Sequence, residues 1–500
     1  MYLTCPSDAT PTPARRVRIA RRPLLALAAA AMLSGAAGLL QPAAAQTPAL
    51  IGLLPAGVDR ALQAARLPRD ALGAIVVDVN APNPRLAWQA NKPMNPASLT
   101  KLLTTYAGLD LLGPGYTWNT PVWVQGQLAD GVLDGNVVIK GTGDPKLVME
   151  RVWLLLRRVR QLGVQDIRGD IVLDRSAFSV PDLAPGAFDN EPLKPYNAQA
   201  DALLLNQRAV LLTFTPMPER RVALVSSDPP LADTRITREV PLSTGPCDDY
   251  RGGLQADFTE PGRIRLGGSY PVSCGEKVWP LADPEPANFN ARLLERMWRD
   301  MGGKLGGQVR DGSAPANLAP TFQLASPPLP EVIRDINKYS NNVMAQQLFL
   351  TLAYVQRGTG TVEGARDVVT QWATSRFGDA AKGLVIDNGS GLSRETRISP
   401  LLFARLLKDA WNGPLMSELM SSLPLSGVDG TMKRSQSPAG RAHLKTGSLR
   451  DVSGVAGYVL APSGRRYIVV AIVNHPSAGN GVAKPVLDAV VNWALNDGAD

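Results

Sequence analysis

Cysteine and histidine are scarce in this chain, three and two among 500 residues. The histidines, His443 and His475, are too few for a histidine-rich zinc site, and no Cys-x-x-Cys occurs, so no metal is expected. Aromatic residues make up 6%, and no lysine/arginine block is interleaved with them. Nucleic-acid binding is therefore not expected, despite a formal net charge of +8. Long hydrophobic runs are also lacking, with one exception. Pro23 to Leu40 is apolar, follows Arg15, Arg16, Arg18, Arg21 and Arg22, and leads to the small residues Ala43-Ala44-Ala45. That order predicts a cleaved secretory signal over residues 1–45. An uncleaved anchor is the alternative, but the run is short for a spanning helix.

Cleavage at that point removes five arginines and one acid, Asp8, so the net charge falls from +8 to +4. It also removes Cys5 and leaves Cys247 and Cys274. In an oxidising compartment such a pair is expected to form one disulfide, the competing reading being two unpaired buried thiols.

What remains has the makings of a soluble globular protein, with 45% hydrophobic and 19% charged residues over a length suited to two or three domains. The 46 glycines and 42 prolines promise many turns. Val58–Ala65 reads as a short helix, and Ala74–Val79 and Arg85–Gln89 as a strand pair. From 116 to 283 short strand-like runs alternate with Gly, Asp and Pro, interrupted by helical pieces at 148–162 and 201–204. This stretch predicts a β-rich insertion of one or two parts. Gly141-Thr142-Gly143-Asp144-Pro145 lacks the spacing and the Lys-Ser/Thr ending of a phosphate loop and reads as a strand-end turn. Helical periodicity returns at 289–301, 330–338, 342–356 and 362–376, with a proline-rich connection at 314–330. Ser399-Pro400 opens another helix. Strands at 442–446, 454–460 and 466–473 and a last helix at 484–495 complete an α+β pattern whose antiparallel sheet would join the two ends of the mature chain. The core of that fold is expected from 46–115 together with 284–500.

Asn95-Pro96-Ala97-Ser98-Leu99-Thr100-Lys101 leads into the apolar positions Leu102, Leu103, Tyr106, Leu109 and Leu112, a helical pattern. Ser98 begins the single Ser-x-x-Lys of the chain, and on one helix face Lys101 would lie beside its hydroxyl. A lysine buried there gives up its proton more readily and can activate the serine as a nucleophile. Alone the motif is close to chance. Two more follow in order: Ser340-Asn341-Asn342 between two helices, and Lys445-Thr446-Gly447-Ser448 in a strand-like run. Serine enzymes of the penicillin-binding and β-lactamase class use Ser-x-x-Lys, Ser-x-Asn and Lys-Thr-Gly in this order. Ser98 would attack a carbonyl with Lys101 as its base, and Ser340 would relay a proton to the departing amine. Asn342 would hold the substrate backbone, and Lys445 and Thr446 its carboxylate. Gly447 would leave room along the strand edge, and the N–H groups of Ser98 and Ser448 would form an oxyanion hole.

At 242 positions, the interval from Ser98 to Ser340 is too long for a compact β-lactamase. With the three motifs it resembles the D-alanyl-D-alanine carboxypeptidase/endopeptidase type of penicillin-binding protein, the DacB-like peptidase S13 group. Asp387-Asn388-Gly389-Ser390-Gly391-Leu392-Ser393-Arg394 is similar to a loop of that group, with Asn388 added. It reads first as a structural glycine turn and second as a substrate contact. His443 lies two positions before Lys445 and reads as a sheet residue rather than a site residue. The resemblance implies a penicillin-binding transpeptidase-like fold with a large β-rich insertion, working in the periplasm without a cofactor. It further implies cleavage of D-Ala-D-Ala ends or D,D-crosslinks of peptidoglycan stem peptides, and β-lactam antibiotics as inhibitors acylating Ser98. It assigns no oligomeric state. A β-lactamase-like hydrolase and a non-catalytic envelope binding protein are the alternatives on the same fold.

Overall fold

Strand Leu72–Asp78 is buried along almost its whole length, and its side chains divide by parity between two cores. Ile75 and Val77 face one hydrophobic cluster, Ala74 and Val76 another, as the period of two of a strand requires. A strand clothed on both sides belongs at the middle of a sheet, and here Leu72–Asp78 pairs antiparallel with Arg466–Asn474 on one edge and Pro84–Trp88 on the other. Val452–Leu460 and then Ala442–Leu449 extend the sheet outward to six strands, with Leu50–Ile51 at the far edge. The computed structural model describes residues 50–435 and 437–499. The expected signal segment, 1–45, lies outside the described residues. The predicted junction of early and late strands is present.

One face of this sheet carries helices Ala56–Ala64 and Lys484–Leu495. The other carries Thr100–Leu112, surrounded by Leu329–Lys338, Asn342–Arg357, Val362–Phe377 and Pro400–Asn412. Ser399 caps the last of these with its hydroxyl accepting from the Leu402 N–H at 3.1 Å, as the Ser-Pro pair predicted.

The inserted region has a second core. Hairpin Asn119–Ala129/Val132–Lys140 and strand Ile171–Asp174 belong to a mixed sheet, and Ala209–Met217, Val222–Asp228 and Lys277–Ala282, with Glu239–Ser243 and Tyr270–Pro271, build a five-stranded one. Cys247 and Cys274 are disulfide-bonded, which settles their pairing.

Three expectations need correction. The insertion continues past 283: helix Phe289–Asp300 packs in its core, and strands Lys304–Leu305, Val309–Asp311 and Phe322–Ala325 pair with Asp166–Ile167, Ile171–Asp174 and Asn119–Ala129. The 314–330 segment is thus more than a connection. Only pairing across 138 to 206 positions decides this, and local pattern does not carry it. Asp201–Leu204 is a turn rather than a helical piece, because the Asp201 carboxylate accepts from the Leu203 N–H at 2.9 Å.

Candidate active site

Ser98 does not sit on the α-helix the periodicity predicted. Ala97–Leu99 is a single 3-10 turn, and the α-helix starts at Thr100. The 3-10 turn eclipses positions three apart, so Lys101 still reaches back over Ser98. Its Nζ lies 3.0 Å from Ser98 Oγ, 2.7 Å from Asn342 Oδ1 and 2.5 Å from the Ser390 carbonyl.

These three partners are unequal. An amide oxygen and a peptide carbonyl have no proton to give, so each must accept one from the lysine. A neutral amine has two hydrogens and one lone pair. With both hydrogens committed to Asn342 and Ser390, its lone pair is left facing the one partner that can donate, the Ser98 hydroxyl. Lys101 is fully buried, and burial, with the charge of Lys445 second, holds its pKa well below the usual lysine value. The arrangement can therefore take a proton from a serine hydroxyl.

Asn342 is the first residue of helix Asn342–Arg357, whose N-cap Asn341 accepts from the Met344 N–H at 3.0 Å. Ser340 precedes it with φ +57°, in the left-handed region. Its Oγ accepts from Lys445 Nζ at 2.9 Å, and Lys445 also donates to the Thr446 carbonyl at 2.7 Å. Lys445 is fully buried, which pushes its pKa down to about 7. The predicted polar residues of the site are brought together: Ser98, Lys101 and Asn342 in one hydrogen-bonded group, Ser340, Lys445 and the Thr446 carbonyl in another, with Ser448 lining the same cavities.

Lys445 to Ser448 lie on edge strand Ala442–Leu449. The Leu444 N–H bonds the Pro424 carbonyl and the Ala442 carbonyl takes the Ser426 N–H, so even-numbered peptide groups point away from the sheet. By alternation those of Thr446 and Ser448 point the same way, into the cleft. Gly447 is required at its position: a Cβ there would meet the Pro96 carbonyl at 2.6 Å and the Ser98 and Leu99 nitrogens at 3.2 Å. Its absence lets the strand lie against the Ser98 turn, with the Ser448 N–H beside it.

Two cavities meet at Ser98. One, of about 510 Å³, is lined by Ser340, Thr431, Thr446, Gly447 and Ser448. The other, of about 1020 Å³, runs toward the insertion past Asn342, Leu392 and Arg394 to Phe188 and Tyr196. Inserted residues form part of its wall: Arg394 stacks 5.0 Å from the Phe188 ring centroid, and Gln207 Oε1 accepts from Asn341 Nδ2 at 3.0 Å.

The 387–394 run is both a glycine turn and a part of the site. Gly389 and Gly391 have φ of +71° and +80°, and a Cβ on Gly391 would lie 1.9 Å from the Ala97 carbonyl. That close approach brings the Ser390 carbonyl to Lys101. Sequence reasoning missed this contact, since a main-chain oxygen leaves no mark on residue type. It also missed Thr431, whose hydroxyl accepts from Thr446 Oγ1 at 2.7 Å. It missed Asn95 too, which donates to the Ser393 carbonyl at 3.0 Å and accepts from the Ala97 N–H at 2.9 Å. His443 remains a sheet residue, paired with Tyr458 and lining neither cavity. Burial lowers its pKa, helped by Lys338 and Arg466.

A serine and a buried lysine under an edge strand, with a long insertion after the serine helix, define an acyl-transfer enzyme of the penicillin-binding class. The chain matches the D-Ala-D-Ala carboxypeptidase 3 (S13) family over residues 54–497 and belongs to it. It is 24% identical to "D-alanyl-D-alanine carboxypeptidase DacB" of Haemophilus influenzae over 446 residues, covering 85% of this chain and 90% of the relative. It is 27% identical to a "D-alanyl-D-alanine carboxypeptidase" of an Actinomadura species, covering 84% and 81%. The crystal structure of penicillin-binding protein 4 (dacB) from Haemophilus influenzae superposes with a TM-score of 0.71 at 22% identity, covering 89% of this chain and 99% of that one. A second structure of that protein, complexed with a novel β-lactam, gives 0.66 at 22% identity, covering 88% and 99%.

Proposed function

We propose that this chain is an exported serine D,D-peptidase that cleaves the terminal D-Ala-D-Ala bond, D,D-crosslinks, or both, in peptidoglycan stem peptides. The observation that carries the reading is the position of the buried Lys101 Nζ, 3.0 Å from Ser98 Oγ, 2.7 Å from Asn342 Oδ1 and 2.5 Å from the Ser390 carbonyl, a geometry in which the neutral amine can take the serine proton.

In this reading Lys101 takes the hydroxyl proton as Ser98 Oγ bonds to the penultimate D-Ala carbonyl carbon. The oxyanion rests on the N–H groups of Ser98 and Ser448. Collapse breaks the C–N bond, and the leaving amine receives a proton through Ser340, which Lys445 holds. Water then hydrolyses the ester and returns Ser98. The substrate backbone runs along the outward peptide groups of Thr446 and Ser448, an added strand. The signal-like N-terminus supports a periplasmic location, where this substrate lies. β-Lactams would acylate the same serine, in keeping with the complex known for the Haemophilus relative.

The test is digestion of crosslinked and pentapeptide-bearing muropeptides with product masses read out. D-Alanine or uncrosslinked stems should appear with the parent enzyme and be absent with Ser98→Ala. Equal release by the variant would remove Ser98 from the mechanism.

A further inference from the structure

The 429–432 turn lines the cavity beside the edge strand, and it is firmly anchored. Asp429 pairs with Lys338 at 2.6 Å and accepts from the Leu425 N–H at 2.8 Å. Lys338 is buried in the last turn of the helix that leads to Ser340. Gly430, with φ +53°, lies so close that a Cβ would be 2.4 Å from the Lys338 carbonyl. Met432, the next residue, is buried and also lines the cavity. Between these fixed points Thr431 is exposed and faces the cavity that contains Ser98.

Thr446 and Thr431 share a hydrogen bond of 2.7 Å between their hydroxyls. Two hydroxyls have two protons, and one proton lies between them whichever way the bond runs. One hydroxyl hydrogen is thus always left over, on a pair whose mutual bond polarises it further. A carboxylate accepts and cannot donate, so this leftover hydrogen suits it. The ammonium of Lys445, which holds the Thr446 carbonyl, supplies the charge nearby.

We infer that Thr431 is the second hydroxyl of the subsite for the substrate's terminal carboxylate, acting with Thr446 to select a free C-terminus over a blocked one. The inference rests on the D,D-peptidase reading and adds a specificity-determining residue outside the three sequence motifs.

The test compares Thr431→Val, which keeps shape and removes the hydroxyl, with Thr431→Ser, which restores it. Each is assayed on Nα,Nε-diacetyl-Lys-D-Ala-D-Ala and its C-terminal amide, and for acylation by benzylpenicillin and its methyl ester. Losing a hydrogen bond to a charged group should lower the valine variant's kcat/KM on the free acid by about 10- to 100-fold, mainly through KM. The amide and the methyl ester should change by less than about 3-fold, and the serine variant should recover the free acid. Equal losses on free and blocked ligands, or no loss on either, would overturn the inference. If the parent enzyme left the tripeptide intact yet Thr431→Val slowed acylation by benzylpenicillin and spared its methyl ester, the peptidase reading would fail and the carboxylate subsite would stand.

Discussion

Asn474 and Asn95 hold each other twice. The Asn95 N–H donates to Asn474 Oδ1 at 2.8 Å, and Asn474 Nδ2 donates to the Asn95 carbonyl at 2.8 Å. Asn474 ends the strand beside Leu72–Asp78, and Asn95 begins the turn that carries Ser98. Asn95 then passes its side-chain oxygen to Ala97, which stands at φ +47° immediately before the serine. The central sheet thereby sets the direction in which Ser98 leaves the backbone.

Asn474→Ala should therefore cost more in reactivity than in binding. Loss of both bonds is expected to lower stability by about 1–3 kcal/mol, read by urea unfolding. Acylation by a fluorescent penicillin should slow by roughly 10-fold or more at temperatures where the variant is fully folded, because the serine is misplaced. Unchanged acylation with lowered stability would reduce the pair to a structural role.

Lys101→Arg should be almost as inactive as Lys101→Ala. A guanidinium cannot surrender its proton and has no lone pair for the Ser98 hydroxyl. Acylation should fall by about 10²- to 10⁴-fold in both, the usual contribution of a general base. A substantially active arginine variant would show that the lysine supplies charge rather than basicity.

The pH profile should be bell-shaped. Burial, with the charge of Lys445 second, holds the Lys101 pKa well below the usual lysine value, and burial brings that of Lys445 to about 7. Below the depressed Lys101 pKa its lone pair is occupied and attack on the substrate fails. Above about 7, Lys445 loses the charge that attracts a carboxylate. Accordingly kcat/KM for D-alanine release should rise with pH, then fall beyond neutrality. A rate still climbing above about pH 8 would contradict a need for the Lys445 charge.

Gly391→Ala should damage both fold and site, since the added carbon lies 1.9 Å from the Ala97 carbonyl at a φ of +80°. A loss of about 2–4 kcal/mol is expected in chemical denaturation, together with a slower penicillin reaction as the Ser390 carbonyl moves off Lys101.

Replacing Cys247 and Cys274 by serine opens a 27-residue loop within the insertion. Stability should fall by about 3 kcal/mol, while penicillin acylation of the folded variant stays within about 2-fold. A large loss of acylation would mean that this part of the insertion holds the cleft.

Local chemistry determined much of this protein. The apolar periodicity of 342–356 and of 484–495 specified helices whose bounds agree closely with the structure, because an amphipathic face must be buried whatever it meets. Ser98, Lys101, Ser340, Asn342 and Lys445 were legible because their residue types and their order are distinctive. The spacing also required an insertion after the serine helix.

Tertiary structure alone decided the rest. Strand Phe322–Ala325 belongs to the insertion because it finds Asn119–Val122, a pairing no local pattern records. The Ser390 and Pro424 carbonyls act as bare main-chain atoms, which every residue type possesses. Thr431 and Asn474 are ordinary polar residues until the fold places them beside Thr446 and Asn95. Even the 3-10 turn at Ser98 follows from packing, since Gly391 and Gly447 press on it from two sides. The sequence thus named the side chains that line the cleft, and long-range contacts, which depend on geometry rather than identity, decided how those groups are held.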